Sequence, residues 1–516
     1  MEGMGTGVQT AGSDKMPDGP WELPDGWCWT ILGKLGRWTG GGTPSKANLS
    51  YWTNGTIPWV SPKDMKIDVI GDTEDRITVA ALDGSASKYV PQGSVLMVMR
   101  SGILRHSFPV AVSDRIVTLN QDLRALTPHA GIDPNYVSRY LARAARNVLH
   151  DCSKDGTTVN SIEVSALERL PVPVAPLVEQ RRIAARIDAL FAEIADGEQA
   201  LETARTGLET FRRALLKAAV TGELTKDWRA VNPVTETGHD VLARIGGERA
   251  VTASGKGRSR RAAAALPLDH SLLPELPGTW VWATVRDLAD VIGGLTKNPD
   301  REKMRERAPY LRVANVRAGS LDLFEMKEIG VTPEDRQRAS LEPNDLLIVE
   351  GNGSIDQIGR CALWNGEIPG CVYQNHIIKV RFGDAHLPRW CFSWLLSPHG
   401  RREIEQVAAS TSGLHTLSIS KIEALPFPIP PPAEAAEALR RIDEALAAAA
   451  DTVFMLDAEA ADAARLKQSI LKAAFEGRLV PQDPADEPAS ALLARSAASP
   501  QAGASRSRGR PRKSAR

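Results

Sequence analysis

Residues 177–220 contain no proline and carry apolar or small side chains at a fixed rhythm. These are Ile183, Ile187, Leu190, Ile194, Gly197, Leu201, Ala204, Leu208, Phe211, Leu215 and Ala218. The steps alternate between four and three residues, the a/d pattern of a helix packed along another helix. At about 1.5 Å per residue, a helix from Leu177 to Val220 spans roughly 65 Å. A helix of that length with a single apolar seam requires a partner.

The partner lies in the same chain. Residues 432–484 repeat the stretch at an offset of 255. LLKAAVTGEL (215–224) becomes ILKAAFEGRL (470–479), LERLPVPVAP (167–176) becomes IEALPFPIPP (422–431), and Ile187-Asp188 becomes Ile442-Asp443. The second seam runs Leu439, Ile442, Leu446, Ala449, Val453, Leu456, Ala460, Ala463, Leu466, Ile470. Two long helices packed on each other as a rigid spacer are expected. Two copies of one unit in one chain can be placed about a pseudo-twofold axis.

The 516 residues leave room for two to four domains. Lys+Arg and Asp+Glu balance at 63 each, so attraction to an anionic partner must come from local patches. The five cysteines, Cys28, Cys152, Cys361, Cys371 and Cys391, form no CxxC and read as reduced thiols. The N-terminus lacks an apolar signal core and no run approaches 18 apolar residues. A soluble, cytoplasmic protein without metal or membrane span is expected.

The expected fold is mixed α/β. Two globular α/β units are separated by two long, coiled-coil-like helices in an internal pseudo-twofold repeat. The segments are a disordered N-terminus (1–20), a first globular domain (21–170), a first spacer helix (171–230), a basic flexible linker (231–272), a second globular domain (273–425), a second spacer helix (426–485) and a disordered Arg-rich tail (486–516). IPWV (57–60), SVLMVM (94–99) and RIVTL (115–119) read as strands, and 134–150 as a helix. Trp27-x-Trp29 matches Trp280-x-Trp282, and Gly41 matches Gly294, at an offset of 253. SVLMVM corresponds loosely to DLLIVE (345–350), and Gln121 to Gln374. The middles of the two units differ.

The order globular unit, helix, globular unit, helix resembles the specificity subunit of type I restriction-modification systems. LPVPVAPLVEQRRI (170–183), the LLKAAVTGEL ending, their second copies, and the W-x-W and GG segments carry the resemblance, along with IPWVSPKDM (57–65) and YLRVANVRAGS (310–320). It covers about residues 21–485. It implies two target recognition domains, each reading half of a bipartite double-stranded DNA sequence. It also implies helices that bind two methyltransferase subunits, recruitment of restriction and translocase subunits, and no catalysis or cofactor in this chain. Glu434-Ala435-Ala436 departs from Glu179-Gln180-Arg181 at the start of the second helix. Two readers related by a twofold would recognise half-sites on opposite strands, with an unread gap set by their spacing.

Base reading needs donors such as Arg, Asn and Gln on loops or strand ends. The candidates are Lys63, Arg100, Arg105 and Gln121 in the first unit, and Arg312, Asn315, Arg317, Asn352, Gln374 and Asn375 in the second. Each has an ordinary alternative as a solvated cation or turn residue. GNGS (351–354) reads as a tight turn, since no Lys-Ser/Thr follows it. Thr157, Thr158 and Ser161 match Ser412, Gly413 and Thr416 before the Pro-rich connectors. They suit phosphate contacts, or helix capping by Ser161 and Ser418. In the tail, Arg508, Gly509, Arg510 and Pro511 look like an AT-hook core for the minor groove, or a generic basic tail.

Asp133-Pro134-Asn135-Tyr136 resembles the D-P-P-Y loop of adenine methyltransferases, which would make this chain an adenine-N6 DNA methyltransferase with its own specificity domains. The competing reading is an Asp-Pro helix start. No Walker A, H-E-x-x-H or Gly-rich SAM loop accompanies it. A coiled-coil adaptor without a DNA role is the third alternative.

Overall fold

The computed structural model describes residues 19–154, 160–255, 271, 273–351, 357–408 and 416–498. The chain divides into two compact units. One holds the residues up to Ala200 together with those from Ala458 onward, and the other is Leu201–Asp457. The division cuts both long helices near their middles rather than at their ends. Those helices run Leu177–Val220 and Pro432–Phe475.

In the first unit, Gly36–Gly40 pairs antiparallel with Leu123–Pro128, which pairs with Val95–Val98, and that strand pairs with Val110–Ser113. All four residues of Val95–Val98 are fully buried. The strand is covered by sheet neighbours and by the helix Pro134–Asp151, which explains its unbroken apolar run. A smaller sheet places Ile57–Val60 parallel to Thr118–Leu119 and antiparallel to Arg76–Ile77. The expected strand 115–119 keeps only its last two residues, and Ile116 stays 56% exposed.

The second unit repeats both sheets. Ala289–Gly293, Ile377–Phe382, Asp345–Val349 and Cys361–Trp364 form the larger one, each antiparallel to the next. Arg307–Leu311 is parallel to Val372–Tyr373 and antiparallel to Lys327–Gly330. Each unit also has an opening strand paired to its Pro-rich connector. Trp29 sits opposite Pro173 in one, and Trp282 opposite Pro428 in the other.

The long helices pair antiparallel within each unit. In the first, Ile183 and Ile187 share a core with Ile470, Leu471 and Phe475, and Lys467 bonds Glu198 at 2.7 Å. In the second, Leu215, Leu216 and Ala219 pack with Leu439, Ile442 and Leu446. The seam is narrower than the heptads suggest. Phe211, Val453 and Leu466 are 46%, 41% and 51% exposed, while the half-buried positions next to the latter two are Thr452 and Lys467. Straight helices at 3.6 residues per turn drift off a 3.5 repeat, so some heptad positions rotate outward.

Each long helix ends at a glycine in the left-handed region, Gly222 (φ 76°) and Gly477 (φ 71°). A Cβ at either would strike a proline, Pro277 in the second unit or Pro24 in the first. The opening segment of each unit is therefore sealed by a helix end. Phe475 lies edge-on between Tyr136 and Tyr140, 5.1 Å from each ring, and its carbonyl accepts the Trp21 indole N–H at 3.2 Å.

Two segments expected to be flexible are ordered. Gly238–Gly255 and Ala489–Ala498 are helices, not linker and tail. Gly238 N–H donates to Thr279 O and Ala489 N–H to Gly26 O, both at 2.9 Å. Val241, Ile245, Ala489 and Leu492 are buried beneath them. Their apolar faces are only a few residues wide in Ala- and Gly-rich sequence, too narrow for a periodic signal.

Candidate nucleic-acid interface

In both units the small sheet launches the loops that carry most of the candidate side chains. Parallel neighbours expose their C-terminal ends at the same edge, so the segments after Val60 and Leu119 leave together, as do those after Leu311 and Tyr373.

The first loop starts the same way in both copies and is held at its far side by bonds of opposite sense. Asp64 accepts from the backbone N–H of Ser61 at 2.8 Å and of Glu74 at 3.1 Å. Asn315 accepts from the N–H of Arg312 at 2.9 Å and donates its amide to the carbonyls of Asp322 (2.8 Å) and Glu325 (3.2 Å). Asn315 is only 3% exposed. The expectation of an outward base reader is not met there, because its amide is spent fixing the loop from beneath.

The second turn corrects the alignment of the copies. Asn120 N–H donates to Val60 O and Gln374 N–H to Leu311 O, both at 2.9 Å. A Cβ on Gly41 or Gly294 would overlap the carbonyl of Asn120 or Gln374 respectively. Gln374 therefore matches Asn120, and Gln121 matches Asn375. Ladder hydrogen bonds set the register, and a one-residue slip is invisible where the side chains differ.

Lys63, Arg100 and Arg317 are paired but exposed. Lys63 meets Glu74 (2.9 Å) and Asp75 (3.0 Å), and its hydrogen bond to Glu74 is the foremost cause of a raised pKa. Arg100 meets Asp122 at 2.8 Å and Arg317 meets Asp322 at 3.0 Å, with Arg side chains 59% and 58% exposed. The hydrogen bond from Arg317 holds the Asp322 carboxyl below its usual range. Exposed pairs of this kind are worth about 0–1 kcal/mol, so exchange for a phosphate or base edge costs little. Arg105, exposed at the end of Gly102–Arg105, has no ion pair among the described residues. Gln121 accepts from the Thr43 hydroxyl. Gln374 accepts from Val313 N–H at 3.3 Å, and Asn375 lies 3.5 Å from the His376 ring.

Arg312 donates to Glu325 O at 3.0 Å, and its Nε is buried without a partner. Arg360, which carries no sequence signal, donates to Val313 O at 3.3 Å. Burial, and secondarily the charge of Arg317, push the Arg360 pKa down. Two guanidiniums crowd one edge of the second unit's loop. Phe324, also without a sequence signal, stands on that loop 100% exposed.

Thr157, Thr158, Asn352, Ser412, Gly413 and the tail candidates Arg508, Gly509, Arg510 and Pro511 lie outside the described residues. So does most of GNGS; its Gly351 bridges to Thr416 as Arg100 bridges to Ser161. Ser161 lies in the short strand Ser161–Ile162 and caps no helix, whereas Ser418 accepts from Lys421 N–H at 3.3 Å.

Asp133 caps the helix Pro134–Asp151, accepting from Asn135 and Tyr136 N–H at 2.9 and 3.1 Å. Tyr136 is 1% exposed and donates its hydroxyl to Pro173 O at 2.9 Å. That tetrapeptide is a cap and a core residue, and it offers no surface to a flipped base. Among the described residues no cluster of metal-ligating side chains occurs, and no helix is long and apolar enough to cross a membrane.

Residues 24–203 match the family model described as the type I restriction modification DNA specificity domain. The chain is similar to type I restriction-modification specificity subunits. It is 38% identical over 172 residues to the EcoR124I/EcoR124II specificity subunit of Escherichia coli, covering 33% of this chain and 43% of that one. The chain thus spans less than half of that relative's length. It is 25% identical over 477 residues to the StySPI specificity subunit of Salmonella potsdam, covering 90% of this chain and 92% of that one. A solved chain from work on assembly and conformational transition of the type I R-M system shares the fold, with a TM-score of 0.62, 17% identity, and coverage of 89% of this chain and all of that one.

Proposed function

We infer that this chain reads a bipartite sequence in double-stranded DNA, one half through the loop cluster of each unit. It positions two methyltransferase subunits over adenines, and restriction and translocase subunits act through the same assembly. The chain itself supplies recognition rather than catalysis. The observation that carries this reading is a loop start fixed the same way in both units, by Ser61 N–H to Asp64 and Arg312 N–H to Asn315, with different outward residues. A loop start held constant while the exposed contents change suits two readers of different half-sites. The match of residues 24–203 to the type I restriction modification DNA specificity domain supports the same reading.

The test is to express the chain with its methyltransferase subunits and map methylated adenines across a genome. Arg100→Ala should relax one half of the recognised sequence and Arg317→Ala the other, each by about 1–3 kcal/mol of discrimination. A methylation pattern without two separated halves, or one substitution that alters both halves, would overturn the reading.

A further inference from the structure

The loop 312–326 holds one side chain whose placement its own core does not explain. Leu323 and Met326 pack onto the second unit's core, while Phe324 between them is 100% exposed. Burying a phenyl ring is worth about 1.5–3 kcal/mol, and nothing described here collects it. The exposure does not come from a loose loop. Asn315 holds the carbonyls of Asp322 and Glu325 on either side, Asp322 accepts from Phe324 N–H at 3.3 Å, and Arg312 donates to Glu325 O. The ring is presented outward by a pinned turn.

Its surroundings are cationic. Arg312, Arg317 and Lys327 flank the turn, paired to Glu325, Asp322 and Glu325, and Arg360 bonds the start of the loop at Val313 O. An exposed aromatic ring on a loop that also carries guanidiniums suits a ligand with both phosphates and flat apolar faces. In the first unit Trp59 opposes Asp75 as Tyr310 opposes Lys327, which puts Asp72 level with Phe324 and Thr73 beside it. The Thr73 hydroxyl is turned inward, donating to Asp75 O at 2.6 Å and accepting from Trp59 N–H at 3.1 Å. The first loop has no ring to offer.

We propose that Phe324 is a specificity-determining wedge that inserts at, or stacks on, a base step of the DNA half-site taken by the second unit, while the first unit reads its half without one. This rests on the DNA-reading function inferred above. The flanking arginines hold phosphates and Asn315 is the positioning residue. The favoured site is a flexible pyrimidine–purine step, where unstacking costs least.

The experiment uses the full chain assembled with its methyltransferase subunits, and a duplex carrying the mapped target with 2-aminopurine placed at successive positions of that half-site. Wild type should raise 2-aminopurine fluorescence at one step. Phe324→Ala should abolish the rise and weaken target binding about 5- to 100-fold. Binding to random duplex should change less than about twofold, since that depends on phosphate contacts. Phe324→Trp should restore both signals. Retained fluorescence and affinity in Phe324→Ala overturn the wedge. Loss of subunit assembly by gel filtration overturns it too, making the ring a protein contact. A wild-type complex that binds the target no better than random duplex instead brings down the DNA-reading function itself.

Discussion

Trp280 donates its indole N–H to a carboxylate oxygen of Glu434 at 2.9 Å, with both residues almost wholly withdrawn from water. Trp27 does the same to Glu179 at 3.0 Å, so the departure of Glu434-Ala435-Ala436 from Glu179-Gln180-Arg181 leaves the shared glutamate in the same role. The rest of the two environments differs. Glu434 also accepts from Thr225 (2.7 Å) and Arg229 (2.9 Å). The matching positions in the first unit are Val480 and Pro484, which have no side-chain donor, and Glu179 Oε1 is buried without a hydrogen bond of normal geometry.

Glu434→Ala should therefore cost the second unit about 3–5 kcal/mol, because it strands a partly buried Arg229. Glu179→Gln should cost the first unit at most about 1 kcal/mol, since the amide still accepts from Trp27. Burial raises the Glu179 pKa against the pull of Trp27. A carboxyl raised in the folded state penalises folding once pH climbs past its unfolded value. Acidification should relieve that penalty in wild type but not in Glu179→Gln, so the cost of the substitution should widen as pH falls. Hydrogen exchange on the full chain, read separately for each unit, measures both effects.

Lys379 is 1% exposed, donates to Ser340 O at 2.9 Å, and has its pKa pushed down to about 8 by burial. The unfolded chain binds its proton more readily between about pH 8 and the ordinary 10.5. The second unit should therefore gain stability as pH rises through that window. Lys379→Met should remove that gain and be equally or more stable at pH 7. Urea titrations at pH 7 and pH 10, compared as mutant minus wild type, decide it.

Leu492 of the helix Ala489–Ala498 lines an open cleft of about 590 Å³ together with His129, Gly131, Leu177 and Val178. Leu492→Ala should destabilise the first unit by about 2–3 kcal/mol. Removing residues 499–516 should leave stability within about 0.5 kcal/mol. If the basic tail touches phosphates, that removal also flattens the salt dependence of DNA binding. Thermal melts and binding at two salt concentrations separate helix from tail.

Inserting seven residues after Ala200 and seven after Asp457 preserves the heptad rhythm in both long helices. Each would lengthen by about 10.5 Å, close to three base pairs. Methylation mapping should return the same half-sites with a gap about three base pairs longer. An unchanged gap would mean that the helices do not set it.

The long helices were legible because their rhythm persists for eleven positions and recurs at offset 255. The strand Asp345–Val349 was legible because it is buried on both faces. What escaped depends on geometry that residue type does not encode. Asn315 looks like any exposed amide until its carbonyl partners are known. Register at Gln121 slipped by one residue because only backbone hydrogen bonds distinguish it from Asn120. Phe324 sits between two core residues and gives no period of its own. The helices at Gly238 and Ala489 were hidden by composition that reads as linker.

The crossing of helix ends also fixes an order of events during synthesis. The unit that begins with Trp21 and Trp27 stays unsealed until Phe475 and Leu492 have left the ribosome, while Leu201–Asp457 is already complete. A nascent chain would carry its earliest-made strands with an open apolar wall for most of translation. A stop codon ahead of Phe475 would spoil the fold at the opposite end of the sequence, leaving the later unit the better survivor.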